Sequence, residues 1–193
     1  MKLMRVAAVV AVAVLLCGMT AYAGTTDCNF DTFVGSGTVP DGYCGINWGG
    51  VWTYYDSVQP PYNPNTPPER VYSPDTGAGE YQFKFITPAQ FQGAFFAGWD
   101  FAALYYNLYY QGNLVYSSIN NPFTPSATPT FYASGYNGLV DTVGIFSQAN
   151  DFYVMDDVTY GSGGGNVPEP ASLLLLGSGL LALGSRGRKL LKK

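Results

Sequence analysis

The chain has 193 residues and a formal net charge of −4, with nine Lys or Arg, thirteen Asp or Glu and no histidine. Between its two ends, residues 24–166 contain only two basic residues against twelve acidic ones. A basic footprint for nucleic acid is therefore absent from this segment. The lack of histidine excludes a Ser-His-Asp or Cys-His mechanism and any His-ligated metal centre.

The first 23 residues have the three parts of a signal peptide. Lys2 and Arg5 precede an apolar run over residues 6–16, and Ala21 and Ala23 form a small-x-small cleavage site. We therefore expect export and cleavage after Ala23.

Two alternatives to a cleaved signal carry less weight. A permanent anchor needs roughly 20 apolar residues, and the run over residues 6–16 is well short of that. Acylation of Cys17, as in lipoproteins, is disfavoured because Leu16 precedes it where a small residue is usual.

The C-terminal end combines three features in order. A Gly-rich linker at 161–166 leads to Pro168-Glu169-Pro170, a hydrophobic stretch at 171–184 and a basic tail. This arrangement over residues 167–193 resembles the PEP-CTERM sorting signal. The resemblance implies an exosortase, a membrane cysteine transpeptidase, as processing partner, with cleavage near the tripeptide. It also implies a Gram-negative producer that secretes exopolysaccharide.

The hydrophobic stretch at 171–184 is expected to be a short helix. It would be about 21 Å long, less than the roughly 30 Å of a hydrocarbon core, so it fits a processing signal better than a plain tail anchor. Basic residues at both chain ends favour cytoplasmic termini with the middle outside. We expect transient contact with the inner membrane, then the cell surface or the extracellular matrix.

The remaining residues, 24–160, have the size of one ordinary domain. Cys28 and Cys44 are the two cysteines left after signal cleavage. An even number in an exported domain predicts a disulfide, which would contribute roughly 3 kcal/mol for a loop of this length. A free-thiol or catalytic role is the lesser alternative.

Alternating side chains predict strands in this ectodomain, and Gln111-Gly112-Asn113 predicts a hairpin turn. The predicted strands cover residues 81–85, 104–110, 114–116, 143–146 and 152–160. Two proline-rich stretches, 59–68 and 120–129, are expected to be loops, because proline lacks the amide proton of a strand ladder. The pattern predicts an all-β, antiparallel β-sandwich, flanked by the signal helix and the short C-terminal helix.

A second resemblance concerns this sandwich. Asn29-Phe30-Asp31, residues 39–43, Asn47-Trp48 and a closing Phe152-x-x-Met155-Asp156-Asp157-Val158 are similar to the jelly-roll ectodomains of PEP-CTERM proteins. Those domains are similar to galactose-binding-like sandwiches, a fold used by many carbohydrate-binding modules. The resemblance implies a jelly roll, but a fold alone does not decide function.

Aromatic side chains beside Asn and Asp suit sugar rings, which offer C–H faces and hydroxyl groups together. The candidates for binding carbohydrate are Trp48, Trp52 and Tyr54, in an aromatic stretch that also includes Tyr55 and Tyr62, and, separately, Trp99. The alternative for any one of these rings is a place in the core, where aromatic residues supply much of the packing energy.

Asp31, Asp156 and Asp157 are candidate ligands of a structural calcium ion, because Ca²⁺ prefers hard oxygen ligands. Asp156 and Asp157 would point to opposite faces of an unbroken strand, so they are not expected to act as an acid/base pair. The alternative is that these carboxylates bond backbone amides at strand ends or face solvent.

No two carboxyl groups are singled out for glycosidase chemistry, so the chain is not expected to be an enzyme. Two hypotheses remain for the ectodomain. It is a surface-displayed module that binds extracellular polysaccharide, or it is a structural or adhesive matrix protein without a small-ligand site. A glycoside-active enzyme ranks third.

Overall fold

The computed structural model describes residues 24–73, 77–150 and 152–162. These residues form one 3-10 helix, Tyr43–Gly45, and eleven strands that pair antiparallel. The strands are β1 (Thr25–Cys28), β2 (Ser36–Thr38), β3 (Ile46–Asn47), β4 (Thr53–Tyr55), β5 (Arg70–Tyr72), β6 (Gly77–Gly98), β7 (Leu104–Tyr110), β8 (Asn113–Ser117), β9 (Thr130–Ala133), β10 (Val140–Asn150) and β11 (Tyr153–Ser162). The expected all-β class is confirmed.

The predicted hairpin is present between β7 and β8. Tyr110 pairs with Asn113 across a turn of two residues. The turn residues, Gln111 and Gly112, have φ values of 51° and 76°. Such left-handed values are those of a type I′ turn, whose twist matches the twist of the paired strands.

The long strand β6 belongs to both layers of the sandwich. Up to Ala89 it lies between β3 and β10, and beyond Ala89 it lies between β9 and β11. One layer continues from β10 through β7 to β8, and the other from β11 through β5 and β4 to β2. The ring of Tyr106 on β7 lies 5.1 Å from Phe91 and 6.1 Å from Phe96 on β6, so the layers share one core.

Gly93 lets β6 change which of its side chains face that core. Phe91 and Phe96 are both buried, although an odd number of positions separates them, and the register with β11 shifts at Gly93. Its φ is 146°, and a Cβ atom here would lie 2.3 Å from the carbonyl oxygen of Tyr132. Only glycine permits this bulge and this close approach.

Trp48 and Trp52 lie in the core, with 0% of either side chain exposed. The indole nitrogen of Trp48 donates to the Tyr43 carbonyl at 3.2 Å, and that of Trp52 donates to the Gln82 carbonyl at 3.1 Å. Neither ring is accessible to a ligand. The prediction that these two residues bind carbohydrate is therefore wrong, and the alternative of a core position applies to both.

The predicted disulfide is present: Cys28, at the end of β1, is bonded to Cys44 in the 3-10 helix, and their Cα atoms are 5.8 Å apart. The signal cleavage residues Ala21 and Ala23 lie outside the described residues. So do the sorting tripeptide Pro168-Glu169-Pro170 and the expected C-terminal helix. Within residues 24–73, 77–150 and 152–162, no helix is long and apolar enough to cross a membrane.

Candidate functional site

The proline-rich segment 59–68 is a loop, as predicted, and it connects β4 to β5. Pairing of Tyr54 with Val71, and of Val71 with Met155, puts these three side chains in one row. Val71 and Met155 are fully buried, so this row faces the core. The neighbouring residues along each strand, Tyr55, Tyr72 and Val154, therefore belong to the outer face.

Arg70 holds both ends of the loop against β5. Its guanidinium group donates to the carbonyl oxygens of Ser57 and, at 3.2 Å, Pro68. The guanidinium carbon lies 3.9 Å from the ring centroid of Tyr55, and only 1% of Arg70 is exposed. Carbonyl dipoles and the aromatic face thus compensate a buried cation, and the charge in turn fixes the loop.

Asp156 and Asp157 hold the middle of the same loop. Asp157 has a φ of 44°, and the β11 register shifts after Asp156, so the strand is broken at this point. Asp156 Oδ2 accepts hydrogen bonds from the amides of Asn65 and Thr66 at 2.8 and 2.9 Å. Asp157 accepts from Asn65 Nδ2 at 2.7 Å and from Thr66 Oγ1 at 3.0 Å. The two carboxyl groups therefore converge on one turn of the loop.

Burial governs the electrostatics of this clamp, defined as Asp156 and Asp157 with their partners Asn65 and Thr66. It raises the pKa of Asp156 to about 7, against the opposing effect of the Thr66 amide. Burial also raises the pKa of Asp157, against the opposing bonds from Asn65 and Thr66. Part of the Asp156 population is therefore protonated near neutral pH.

The calcium prediction for Asp31, Asp156 and Asp157 is not matched by the structure. Both carboxyl oxygens of Asp156 accept hydrogen bonds from backbone amides. Oδ2 accepts from the loop, and Oδ1 accepts from the Asp157 amide at 2.9 Å. In the part of the chain that the structure describes, no three His, Cys, Asp or Glu side chains are grouped so as to hold a metal ion. The alternative, that the carboxylates bond backbone amides, describes Asp156.

Beside the clamped loop lies an open cleft with a volume of about 310 Å³. Its lining residues come from β4, β5, β11 and the loop; they are Tyr55, Gln59, Tyr62, Tyr72, Tyr153 and Val154. We call it the aromatic cleft. Tyr153 and Val154 are buried beneath it, with 0% and 2% exposed, and burial raises the pKa of Tyr55 and Tyr153. The cleft therefore combines ring surface with hydroxyl and amide groups.

A strip of exposed rings continues from the cleft. Trp99 is 45% exposed, and its indole nitrogen donates to the hydroxyl of Tyr62 at 3.0 Å. The ring of Phe101 stacks on Trp99 at 6.0 Å, and Phe152 lies 5.1 Å from Phe101. Phe101 and Phe152 are 54% and 36% exposed. We call Trp99, Phe101 and Phe152 the aromatic strip.

Of the four residues expected to bind carbohydrate, only Trp99 lies at this site. Tyr54 is half-buried and stacks on Phe33 with ring centroids 4.4 Å apart, at the margin of the core. Its neighbour Tyr55 lines the cleft instead. The structure thus separates two adjacent tyrosines onto opposite faces of β4, and it keeps Trp48 and Trp52 away from the site.

The predicted aromatic stretch includes two of the cleft residues, Tyr55 and Tyr62, but not the other four. The partial exposure of Tyr62 could be expected, since an aromatic residue in a proline-rich loop is not part of a strand that packs on the core. The outward position of Tyr54 or Tyr55 could also be expected, because adjacent side chains on a strand point to opposite faces. Gln59, Tyr72 and Tyr153 could not be expected in this way, as they line the cleft only because the loop folds over β5 and β11.

The comparison with known families concerns the C-terminal end. Residues 166–189 match the family model of the PEP-CTERM protein-sorting motif. The chain carries a PEP-CTERM sorting signal. This signal indicates an exported protein that an exosortase processes at a membrane on the way to the cell surface. No curated protein and no solved structure matches the chain.

Proposed function

We propose that the ectodomain of this exosortase substrate is a surface-displayed module that binds polysaccharide at the aromatic cleft, without turning it over. The observation that carries the proposal is the bond from the exposed Trp99 to Tyr62, which joins the aromatic strip to the cleft. Aromatic rings and polar groups then occupy one continuous surface on the outer side of the sandwich.

The chemistry of such a surface suits a sugar chain. The C–H face of a pyranose packs on an aromatic ring, and its hydroxyls require donors and acceptors at the ring edge. Tyr hydroxyls and the amide of Gln59 supply both kinds of group within the cleft. Polar groups in a binding site of this kind orient the ligand and give specificity.

The way in which the loop is held supports binding by a preformed site. Arg70 fixes the loop ends and the clamp fixes its middle, so the wall that carries Gln59 and Tyr62 is already in position. A preformed site avoids the entropic cost of ordering a loop when the ligand binds.

The finer assignments of fold and source belong to the same proposal. The pairing of the first strand, β1, with the last, β11, supports a galactose-binding-like jelly roll. The sorting signal supports display on, or release into, the exopolysaccharide matrix of a Gram-negative bacterium.

A structural or adhesive matrix protein is the second candidate. The observation in its favour is β8, which stands at one end of the strand order and carries the exposed side chains Leu114 (55%) and Val115 (37%). Exposed apolar groups on a terminal strand favour association with another chain. In that case the mature protein would self-associate, and the cleft would have no ligand.

Calorimetric titration of the signal-cleaved protein with soluble polysaccharides tests the two candidates. Binding that weakens about tenfold in Tyr62→Ala, and is unchanged in Tyr105→Ala, supports the module. Tyr105 is a suitable control because it stacks on Phe146 in the other layer. Concentration-dependent association without polysaccharide binding supports the matrix protein instead, and release of reducing sugar would contradict both.

A further inference from the structure

The groups that line the aromatic cleft carry no formal charge at neutral pH. They are four tyrosines, a glutamine and a valine. The nearby buried charges are not available to a ligand: Arg70 binds loop carbonyls, Asp156 accepts three backbone amides, and Glu69 is 0% exposed. A charged sugar would therefore find no counter-ion in the cleft.

Among the residues that the structure describes, no accessible basic side chain lies beside the cleft. Between residues 24 and 166 the chain has only Arg70 and Lys84. Arg70 is 1% exposed, and Lys84 lies in the part of β6 that pairs with β3 and β10. Arg is the residue that proteins use to bind carboxylate and sulfate in a bidentate manner, and none is accessible here.

The domain as a whole also disfavours an anionic ligand. Twelve acidic residues against two basic ones give residues 24–166 a net charge of −10 (2 − 12). Such a charge repels an anionic polymer over roughly a Debye length, which is about 8 to 10 Å at moderate salt. The same charge attracts a cationic polymer over the same range, so it is the lining of the cleft, which holds no carboxylate, that disfavours a cationic sugar.

We infer that the cleft selects an uncharged polysaccharide, with one sugar in the cleft and the adjoining sugars stacked along the aromatic strip. The inference rests on the proposed function and adds the ligand class. A chain rather than a single sugar is indicated because the cleft, at about 310 Å³, is at the small end of ligand sites, while Trp99 and Phe101 extend the ring surface beyond it.

Three polysaccharides with one backbone and different charge test the ligand class. The probes are hydroxyethyl cellulose, carboxymethyl cellulose and quaternised hydroxyethyl cellulose, with dextran, carboxymethyl dextran and diethylaminoethyl dextran as a second series. Each is titrated into the signal-cleaved protein at about 20 mM and about 300 mM salt. The Tyr62→Ala, Trp99→Ala and Tyr105→Ala variants are measured in parallel, with melting curves to show that each is folded.

The expected result is binding of a neutral probe that is insensitive to salt. It should be about tenfold weaker in Tyr62→Ala and Trp99→Ala, unchanged in Tyr105→Ala, and at least about tenfold tighter than binding of the carboxymethyl probe. Tyr62-dependent binding that is tighter for either charged probe overturns the inference but leaves the proposed function standing. If no probe shows binding that depends on Tyr62, both are overturned.

Discussion

Two of the three tryptophans of the chain lie in the core, and the third lies on the surface beside the aromatic cleft. Trp48 and Trp52 lie between the layers, with their rings in edge contact at 6.2 Å and their indole nitrogens bonded to backbone carbonyls. Trp99 lies outside, 45% exposed, and its indole nitrogen bonds a side chain at the mouth of a cleft. The residue type is the same, and the burial and the hydrogen-bond partner differ.

The comparison indicates how stability and binding are distributed. Removing a core ring leaves a cavity and an unpaired carbonyl, whereas removing an exposed ring exposes little new surface. We therefore expect substitutions in the core to alter unfolding, and substitutions at the cleft to alter binding. The following predictions run from the largest expected effect to the smallest.

Trp52→Ala is expected to lower the free energy of unfolding by about 3 to 5 kcal/mol, the usual cost of truncating a fully buried large aromatic residue. The carbonyl of Gln82 also loses its donor. Urea denaturation followed by tyrosine fluorescence measures the change. A loss below about 1 kcal/mol would mean that Trp52 is not part of a packed core.

The clamp makes the stability of the protein depend on pH. The pKa of Asp156 is about 7 in the folded state against 3.8 ordinarily, so the folded state binds more protons between these values. The contribution of Asp156 to the free energy of unfolding is complete below about pH 4. It falls by up to about 4 kcal/mol as the pH rises through about 7. The raised pKa of Asp157 acts in the same direction.

Melting temperatures measured from about pH 4 to about pH 8 in wild type and Asp156→Asn test this dependence. The melting temperature of wild type should fall as the pH rises, and that of Asp156→Asn should fall less. Equal slopes in the two proteins would show that the carboxyl group of Asp156 does not titrate in this range.

Asp156→Ala is expected to lower the free energy of unfolding by about 2 kcal/mol, because the Asn65 and Thr66 amides lose their acceptor. The loop wall should loosen, so hydrogen exchange at these two amides should speed up and polysaccharide affinity should fall. Asp141→Ala is a control, since Asp141 accepts a backbone amide at the exposed Gln111 turn. Unchanged exchange in Asp156→Ala would contradict the clamp.

Trp99→Ala is expected to change the free energy of unfolding by less than about 0.5 kcal/mol, as is usual for exposed residues. The same variant should bind the polysaccharide about tenfold more weakly. A large loss of stability together with unchanged binding would reverse the comparison between the two regions.

The sequence predicted part of β6, the strands β7, β8, β10 and β11, and the turn, because these depend on local pattern, whereas β2, β3, β4, β5 and β9 were not predicted. Alternation at Phe83 and Phe85 and the left-handed pair Gln111–Gly112 follow from neighbouring residues alone. The disulfide between Cys28 and Cys44 followed from their number and from the export signal.

The site was less predictable, because it depends on contacts between distant parts of the chain. Tryptophans near Asn and Asp look alike whether they face the core or solvent, so Trp48 and Trp52 were misassigned. The broken strand at Asp157 turns two adjacent carboxyl groups toward the same loop, although an ordinary strand would separate them. Neither the bulge nor the partners Asn65 and Thr66 are encoded near the aspartates.

The most direct test of the central claim is the accessibility of Trp99 to a neutral quencher, acrylamide, during titration with a neutral polysaccharide. Trp48 and Trp52 are buried, so quenching should report Trp99. The account predicts that saturating polysaccharide protects the fluorescence of wild type from acrylamide, and that this protection is absent in Trp99→Phe. Binding that leaves quenching unchanged in wild type would contradict it.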